Sequence, residues 1–125
     1  MQGHHLSQAS SVFRQPPTDE FERRVDTCIA KNPANADEFG MRSIVLLASA
    51  GATARALARF DDFEARGGLT RLRPEDRSSL LVQPARLRIR MGDRAKAMAT
   101  LDEALRLSAD LPEALALREA IRKTS

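Results

Sequence analysis

The residues of this chain that could do chemistry are few, and their spacing assembles no catalytic set. The only histidines are adjacent, His4-His5, and the single cysteine is Cys28. Adjacent acids occur at Asp61-Asp62 and Asp102-Glu103, but neighbours on a helix point about 100° apart and do not form an acid–base dyad. The sequence contains no Gly-rich phosphate loop, metal-ligand spacing or Ser–His–Asp set. It therefore predicts a protein that is not an enzyme and needs no metal or cofactor.

These residues have ordinary structural interpretations. Cys28 shares the apolar stripe of a predicted helix, so we expect a small buried side chain rather than a nucleophile. His4-His5 fall in residues 1–17, where Pro16-Pro17 and the lack of a sustained hydrophobic period predict a flexible N-terminal segment. Asp102 stands one helical turn before Arg106, a spacing that predicts an exposed ion pair.

Composition favours one helical domain. The chain has 125 residues, of which 42% are hydrophobic and 30% charged, with a net charge of +3. Alanine and leucine dominate the apolar residues, and the aromatic residues are five phenylalanines. Ala, Leu, Arg and Glu are strong helix formers, whereas the β-branched residues that favour strands are scarce. The composition therefore predicts an all-α fold.

Nothing in the sequence predicts a membrane span or a secretory signal. The longest apolar run, Ile44–Ala48, is far shorter than the roughly 18–20 residues that a spanning helix needs. The N-terminus lacks the basic region, apolar stretch and cleavage site of a signal peptide. We therefore expect a cytoplasmic protein.

Hydrophobic periodicity predicts about six helices joined by short connections. Their predicted ranges are 18–31, 36–50, 53–66, 74–91, 94–107 and 112 onward. Residues 69–73 form a predicted basic connection. Pro84 lies inside the fourth helix, where proline removes a hydrogen bond, so the helix either kinks there or breaks. Short connections predict antiparallel packing of neighbouring helices.

The chain also repeats itself. Residues 41 positions apart match as glycine or apolar residues over one turn and helix. The matched pairs are Gly51 with Gly92, Ala56 with Ala97, Leu57 with Met98, Phe60 with Leu101 and Phe63 with Ala104. At an offset of 35 residues, Phe21, Val25 and Cys28 match Ala56, Phe60 and Phe63 in the same way.

This pattern resembles the tetratricopeptide repeat, which stacks antiparallel helix pairs in units of about 34 residues. Gly92-Asp93 match the turn within a pair, Ala97 and Ala104 the small residues at helix contacts, and Leu101 the larger packing residue. The resemblance covers residues 18–123 and implies a domain over 18–125 that forms a TPR-like α-α superhelix. The spacings of 35 and 41 residues, Pro84 and Arg88 depart from the family pattern.

The resemblance implies a binding function. In this family the first helix of each pair lines a concave groove that holds a partner peptide. Matched by register, the implied groove residues are Met41, Arg42, Val45, Ser49, Gln83, Arg86, Ile89 and Arg90. The implied protein is an adaptor or small chaperone that binds a helical or extended peptide of another protein. Small bacterial relatives of the family include secretion chaperones and pilus-assembly factors. Arg86 and Arg90 share a face and would favour a partner carboxylate. Homo-oligomerisation stays open.

An alternative function is nucleic-acid binding through a basic cluster between Arg71 and Arg90. Its members are Arg71, Arg73, Arg77, Arg86, Arg88 and Arg90. The cluster lacks the interleaved aromatic residues on which bases stack, and charges of both signs mix along the rest of the chain. Nucleic acid is therefore the less favoured partner.

Overall fold

The computed structural model describes residues 18–124, and this part of the chain folds into helices without any β-strand. The seven α-helices are α1 (Thr18–Lys31), α2 (Ala36–Ser49), α3 (Thr53–Ala65), α4 (Gly68–Arg71), α5 (Pro74–Arg90), α6 (Arg94–Leu107) and α7 (Pro112–Lys123). A single 3-10 turn, Pro33–Asn35, separates α1 from α2. The predicted all-α fold class is confirmed. The predicted flexible segment 1–17 lies outside the described residues.

Consecutive helices pack against each other as antiparallel neighbours. Contacts join α1 to α2, α2 to α3, α5 to α6 and α6 to α7, in each case across a short connection that reverses the chain. The two halves of the domain meet where α5 packs on both α3 and α2. The predicted stacking of antiparallel helix pairs is present.

Local residues explain several helix boundaries. Gly51 and Gly92 both adopt left-handed backbone, with φ of 83° and 81°, directly after a helix. That conformation is easy only for glycine, which explains why both helices end there. The Asp93 carboxylate accepts a hydrogen bond from the Lys96 amide at 3.2 Å and caps α6. Pro74 occupies the first turn of α5, where no amide donor is needed.

The prediction of a plain connection at residues 69–73 was wrong. Gly68–Arg71 form the short helix α4, so the described residues hold one helix more than the six predicted. α4 packs on α3 because Leu69 is buried in the main core, with Leu72 packed against it. The segment carries two apolar residues among basic ones, too few for a helical period to be detected from the sequence.

Pro84 does not end the fourth predicted helix. α5 runs from Pro74 to Arg90 as one helix with Pro84 inside it. Proline cannot donate to the carbonyl four residues earlier, which weakens a helix. Here Pro84 itself is fully buried, and Leu81, Val82 and Ala85 beside it are buried too. Tertiary packing on several sides thus maintains the helix across the missing hydrogen bond.

The main core joins α3, α5 and α6. Phe60, Leu81, Ala97 and Leu101 are between 0% and 2% exposed at its centre. Positions matched at the offset of 41 residues have equal burial: both members of the pairs Ala56/Ala97, Phe60/Leu101 and Phe63/Ala104 are buried, and Leu57 and Met98 are both half-buried. The internal repeat seen in the sequence therefore corresponds to equivalent packing positions in α3 and α6.

α1 packs as an edge helix, and this corrects the prediction for Cys28. Phe21, Val25 and Ile29, four residues apart, are half-buried, whereas Cys28 is exposed. A helix with neighbours on one side buries only a narrow stripe, and Cys28 falls just beside it. The expectation of a buried thiol was therefore wrong, because it assumed a wider contact face.

Arg59 of α3 holds α1 in place by polar contacts. Its guanidinium donates to the carboxylates of Glu22 at 2.8 Å and Asp26 at 2.9 Å, and to the Glu22 carbonyl oxygen at 3.1 Å. The Arg59 side chain is only 15% exposed, so its hydrogen bonds to Glu22 are partly shielded from water, whereas the carboxylate of Asp26 is 64% exposed.

We expect Arg59→Ala to loosen α1 by about 1.5–3 kcal/mol, the value typical of hydrogen bonds to charged groups. The measurement is amide hydrogen exchange, in which α1 should exchange at least tenfold faster while α6 keeps its protection. Arg106→Ala is the matched control, since Arg106 is exposed and lies 3.9 Å from its one ion-pair partner, Glu103. Equal exchange rates in the two variants would contradict the proposed anchoring.

Candidate groove between two parallel helices

The candidate site lies between α2 and α5, which run side by side in the same direction. At one end, Arg71, just before α5, makes a bidentate contact with the Asp37 carboxylate in the first turn of α2, at 2.7 and 2.9 Å. At the other end, the Arg90 guanidinium lies 3.4 Å from the Ala48 carbonyl oxygen near the end of α2. Polar contacts thus tie the N-terminal and the C-terminal ends of the two helices.

The Asp37–Arg71 pair is a partly exposed contact between two helices. The hydrogen bond from the Arg71 guanidinium holds the pKa of Asp37 below its usual value, although partial burial acts in the opposite direction. Asp37 is therefore ionised at neutral pH. The pair connects α2 to α4 and positions the start of α5 beside α2.

An open groove of about 710 Å³ lies between the two helices. Each helix contributes one stripe of side chains, spaced so that they fall on a single face. The lining residues are Met41, Arg42, Val45 and Leu46 of α2, and Asp76, Ser79, Leu80 and Gln83 of α5. Val45 is 38% exposed and Leu46 is 54% exposed, so aliphatic surface is open to solvent.

The charged groups at the groove are weakly engaged. Arg42 lies 4.0 Å from Glu38, one turn earlier on α2, and both side chains are exposed. Asp76 lies 3.8 Å from Arg73 and is similarly exposed. Exposed pairs of this kind contribute about 0–1 kcal/mol. The groove therefore has an apolar floor flanked by one cation and one anion that remain accessible to a ligand.

The structure brings together half of the residues predicted for the site. Met41, Arg42, Val45 and Gln83 line the groove. Ser49, Ile89 and Arg90 are not among the lining residues, because they belong to the last turns of α2 and α5, where the Arg90–Ala48 contact brings the two helices together. The predicted residues on α2 thus largely coincide with the lining, whereas those on α5 lie mostly closer to its C-terminal end than the lining does.

Arg86 is also absent from the lining. Its guanidinium donates to the Glu113 carboxylate of α7 at 2.9 Å. This ion pair directs Arg86 toward the opposite side of α5 from α2. The carboxylate preference that was predicted for the partner, which depended on Arg86 and Arg90, therefore has no support in the geometry of the groove.

Four lining residues were not predicted from the sequence: Leu46, Asp76, Ser79 and Leu80. A signal for Leu46 was present in the apolar run Ile44–Ala48, which is too continuous for one buried helix face. Ile44, Leu47 and Ala48 fill the buried face, and Val45 and Leu46 remain outside it. The sequence carries no such signal for the lining residues of α5, because which of them face the groove depends on the offset of α5 along α2.

The arginines of the cluster proposed for nucleic acid make contacts with other residues of the protein. Arg71 binds Asp37, and Arg77 donates to the carbonyl oxygens of Leu69 and Leu72 at 2.8 and 3.1 Å. Arg73 lies near Glu75 and Asp76, and Arg86 contacts Glu113. Arg88 contacts Thr100 and Asp61, and Arg90 contacts the carbonyl oxygen of Ala48. Most of these guanidinium groups connect helices, and nothing in this arrangement favours the nucleic-acid alternative.

The adjacent acidic residues that were considered for catalysis form ion pairs with arginines of the same protein. Asp61 and Asp62 face different partners, Arg88 at 3.6 Å and Arg66 at 3.1 Å. Asp102 contacts Arg118 of α7 at 3.8 Å, whereas Arg106 lies near Glu103. The predicted Asp102–Arg106 pair was therefore wrong, because α7 supplies a nearer cation.

Within residues 18–124, no group of three or more His, Cys, Asp or Glu side chains is placed to hold a metal ion. His4-His5 lie outside this range. No helix in the described part of the chain has the length and apolar character needed to cross a membrane. No protein-family model, curated protein or solved structure matches the chain.

Proposed function

We propose that this chain is a non-enzymatic protein–protein interaction module, an adaptor or small chaperone of TPR-like type. Its ligand is a short segment of a partner protein, held in the groove between α2 and α5. The observation that carries the proposal is the exposed aliphatic stripe of Val45 and Leu46 facing the stripe of α5 across the groove. An apolar groove between helices is one of the recurring sites at which peptide segments bind.

A peptide segment fits this groove better than a small molecule does. Small-molecule sites enclose most of the ligand and present a few precisely placed polar groups. This groove is open to solvent, and no buried side-chain N or O atom among the described residues lacks a partner. Two parallel helices instead offer a linear track, which suits apolar side chains spaced along a helix or an extended chain.

Equivalent packing of α3 and α6 supports the TPR-like assignment. In a TPR-like arrangement, α2 and α5 are the first helices of successive pairs and line one face, while α3 and α6 form the other layer. The contact between α2 and α5 and the equal burial at matched positions of α3 and α6 agree with this arrangement.

The test is a selection from a displayed library of random peptides against the wild-type protein. We expect enriched peptides to carry spaced apolar residues and to bind Leu46→Asp at least tenfold more weakly, a loss of about 1.4 kcal/mol or more. The matched control is Leu115→Asp, because Leu115 is 38% exposed and belongs to α7, outside the groove.

Circular dichroism should show that both variants keep the wild-type fold, since both leucines are exposed. Peptides that bind Leu46→Asp and Leu115→Asp equally well would place the binding surface elsewhere and overturn the proposal.

A further inference from the structure

A cluster of exposed cations lies where three helices meet at one end of the domain. α5 ends, α6 begins and α7 ends there, because α6 packs antiparallel to both of its neighbours. The Arg94 guanidinium donates to the Thr124 carbonyl oxygen at 2.8 Å and joins the start of α6 to the end of α7. We call this cluster the basic end, and its members, all exposed, are Arg90, Arg94, Lys96, Arg122 and Lys123.

The cations of the basic end have no carboxylate partners among residues 18–124. Most other arginines in this range form ion pairs with Asp or Glu, but none of the five cations does. Two acidic residues lie nearby. Asp93 caps α6 by accepting a hydrogen bond from the Lys96 amide at 3.2 Å, and Glu119 lies one turn before Lys123 on α7. The basic end therefore exposes an excess of positive charge.

The internal repeat contains a compensated counterpart of this arrangement. At the offset of 41 residues, Lys96 in the first turn of α6 corresponds to Arg55 in the first turn of α3. A cation at a helix N-terminus is opposed by the positive end of the helix dipole. Carboxylates of α1 compensate Arg55, since Asp19 and Glu22 lie 2.6 and 2.8 Å from its guanidinium. The first turn of α6 contains no acidic residue, so an anion from outside the chain would occupy the place that α1 fills for α3.

An apolar side chain lies among these cations. Met91 directly follows Arg90 and is 58% exposed, which makes it the most exposed large hydrophobic residue of the described part. Gly92 has left-handed backbone with a φ of 81° and reverses the chain there, so Met91 lies in the turn between α5 and α6. The members of the basic end include no aromatic residue on which a nucleic-acid base could stack.

We propose that the basic end binds the surface of a membrane that contains anionic phospholipids. The headgroups supply the anions that the five cations lack within the chain, and each Lys or Arg near such a surface strengthens binding about fivefold. The exposed Met91 side chain enters the boundary between headgroups and acyl chains, where apolar residues of peripheral proteins are buried. A nucleic acid also supplies phosphates, but it offers no apolar environment to Met91.

This orientation keeps the α2–α5 groove accessible. Gln83, the lining residue nearest to the C-terminal end of α5, is seven positions before Arg90, which corresponds to about 10 Å along a helix. A molecule attached to a membrane by the basic end can therefore hold a partner segment at the same time. The membrane contact itself does not depend on what the groove binds.

The experiment is co-sedimentation of the full chain with lipid vesicles. One set of vesicles contains equimolar phosphatidylserine and phosphatidylcholine, and the other contains phosphatidylcholine alone. We expect binding to the anionic vesicles to be at least tenfold stronger and to weaken as salt is raised. Lys96→Gln with Lys123→Gln should weaken binding to the anionic vesicles about thirtyfold, because two cations are removed.

The matched control is Lys31→Gln with Arg106→Gln. Both residues are exposed, and they lie in the last turns of α1 and α6, at the opposite end of the domain. The control lowers the net charge by the same amount, and it should bind anionic vesicles within about threefold of wild type, since these cations are far from the contact. Circular dichroism should show wild-type helicity for both double variants. Equal weakening by the two doubles, or equal binding to the two kinds of vesicle, would overturn the proposal.

Met91→Ser distinguishes a membrane from a nucleic acid. We expect this variant to bind anionic vesicles about fourfold more weakly, the loss for roughly one methylene group that stays in water. Duplex DNA at the same phosphate concentration should bind the wild-type chain at least tenfold more weakly than the anionic vesicles do. Equally tight binding of DNA, together with vesicle binding that is insensitive to Met91→Ser, would identify a general polyanion site and contradict the membrane assignment.

Discussion

Replacing Leu101 with aspartate is expected to remove the cooperative thermal unfolding transition of this protein. Leu101 is 0% exposed at the centre of α6, and it packs in the same core as Phe60, Leu81 and Ala97. An unpaired carboxylate at such a position costs several kcal/mol, in addition to the lost apolar contacts. Domains of this size are stable by only about 5–15 kcal/mol. The substitution therefore removes most of the stability.

Two further variants show that burial causes this loss. Leu101→Ala leaves a cavity without a charge and should cost about 2–5 kcal/mol, which lowers Tm by about 10 °C or more. Leu46→Asp introduces the same charge at a leucine that is 54% exposed, and its Tm should stay within a few degrees of wild type. The measurement is ellipticity at 222 nm during heating. A wild-type Tm for Leu101→Asp would mean that this face of α6 is exposed and that the stacking described above is wrong.

The sequence predicted the long helices well because their signals are local. A helix start such as Pro74, a stop such as Gly92 and an apolar stripe such as Ala97 and Leu101 all act within a few residues of the element they define. The pairing of neighbouring helices followed from short connections. These features require no knowledge of which distant residues come together.

Features that depend on distant contacts were predicted poorly. α4 exists because Leu69 finds a place in the core, and Cys28 is exposed because α1 is an edge helix. On α5, Gln83 is the only predicted residue that lines the groove, because the location of the groove depends on the offset between α2 and α5. One of the contacts at this offset is the Asp37–Arg71 pair, between residues 34 positions apart. No local pattern reports such a pairing.

Arg88, which fits the tetratricopeptide resemblance poorly, has a structural role of its own. In the structure, its guanidinium lies 5.8 Å from the centre of the Phe60 ring, within cation–π range, and donates to the Thr100 hydroxyl at 2.5 Å. Arg88 of α5 thereby contacts both α3 and α6 from a site that is mostly shielded from water.

The second large effect is expected at Gly68, where α4 closes over α3. A Cβ atom at Gly68 would lie 2.5 Å from Cζ of Phe63 and 2.6 Å from both of its Cε atoms, whereas carbon atoms in contact are about 3.5–4.0 Å apart. Phe63 is itself 6% exposed, so its ring would have to shift among packed neighbours to make room. We expect Gly68→Ala to cost about 2–3 kcal/mol, near the upper range for overpacked cores, measured as the free energy of unfolding in urea.

Gly67→Ala separates this steric effect from the effect of backbone conformation. Gly67 has a φ of 79°, but the nearest atom to an added Cβ is Nη1 of Arg71 at 3.4 Å. Its substitution should cost about 1–2 kcal/mol from the left-handed backbone alone. A Phe63→Leu background then tests each cost by a double-mutant cycle. Because leucine leaves room above Gly68, Gly68→Ala should become nearly neutral there, while Gly67→Ala should cost the same in both backgrounds. Additive effects of Gly68→Ala and Phe63→Leu would show that the ring does not limit the approach of α4, and the packing of α4 over α3 would need another explanation.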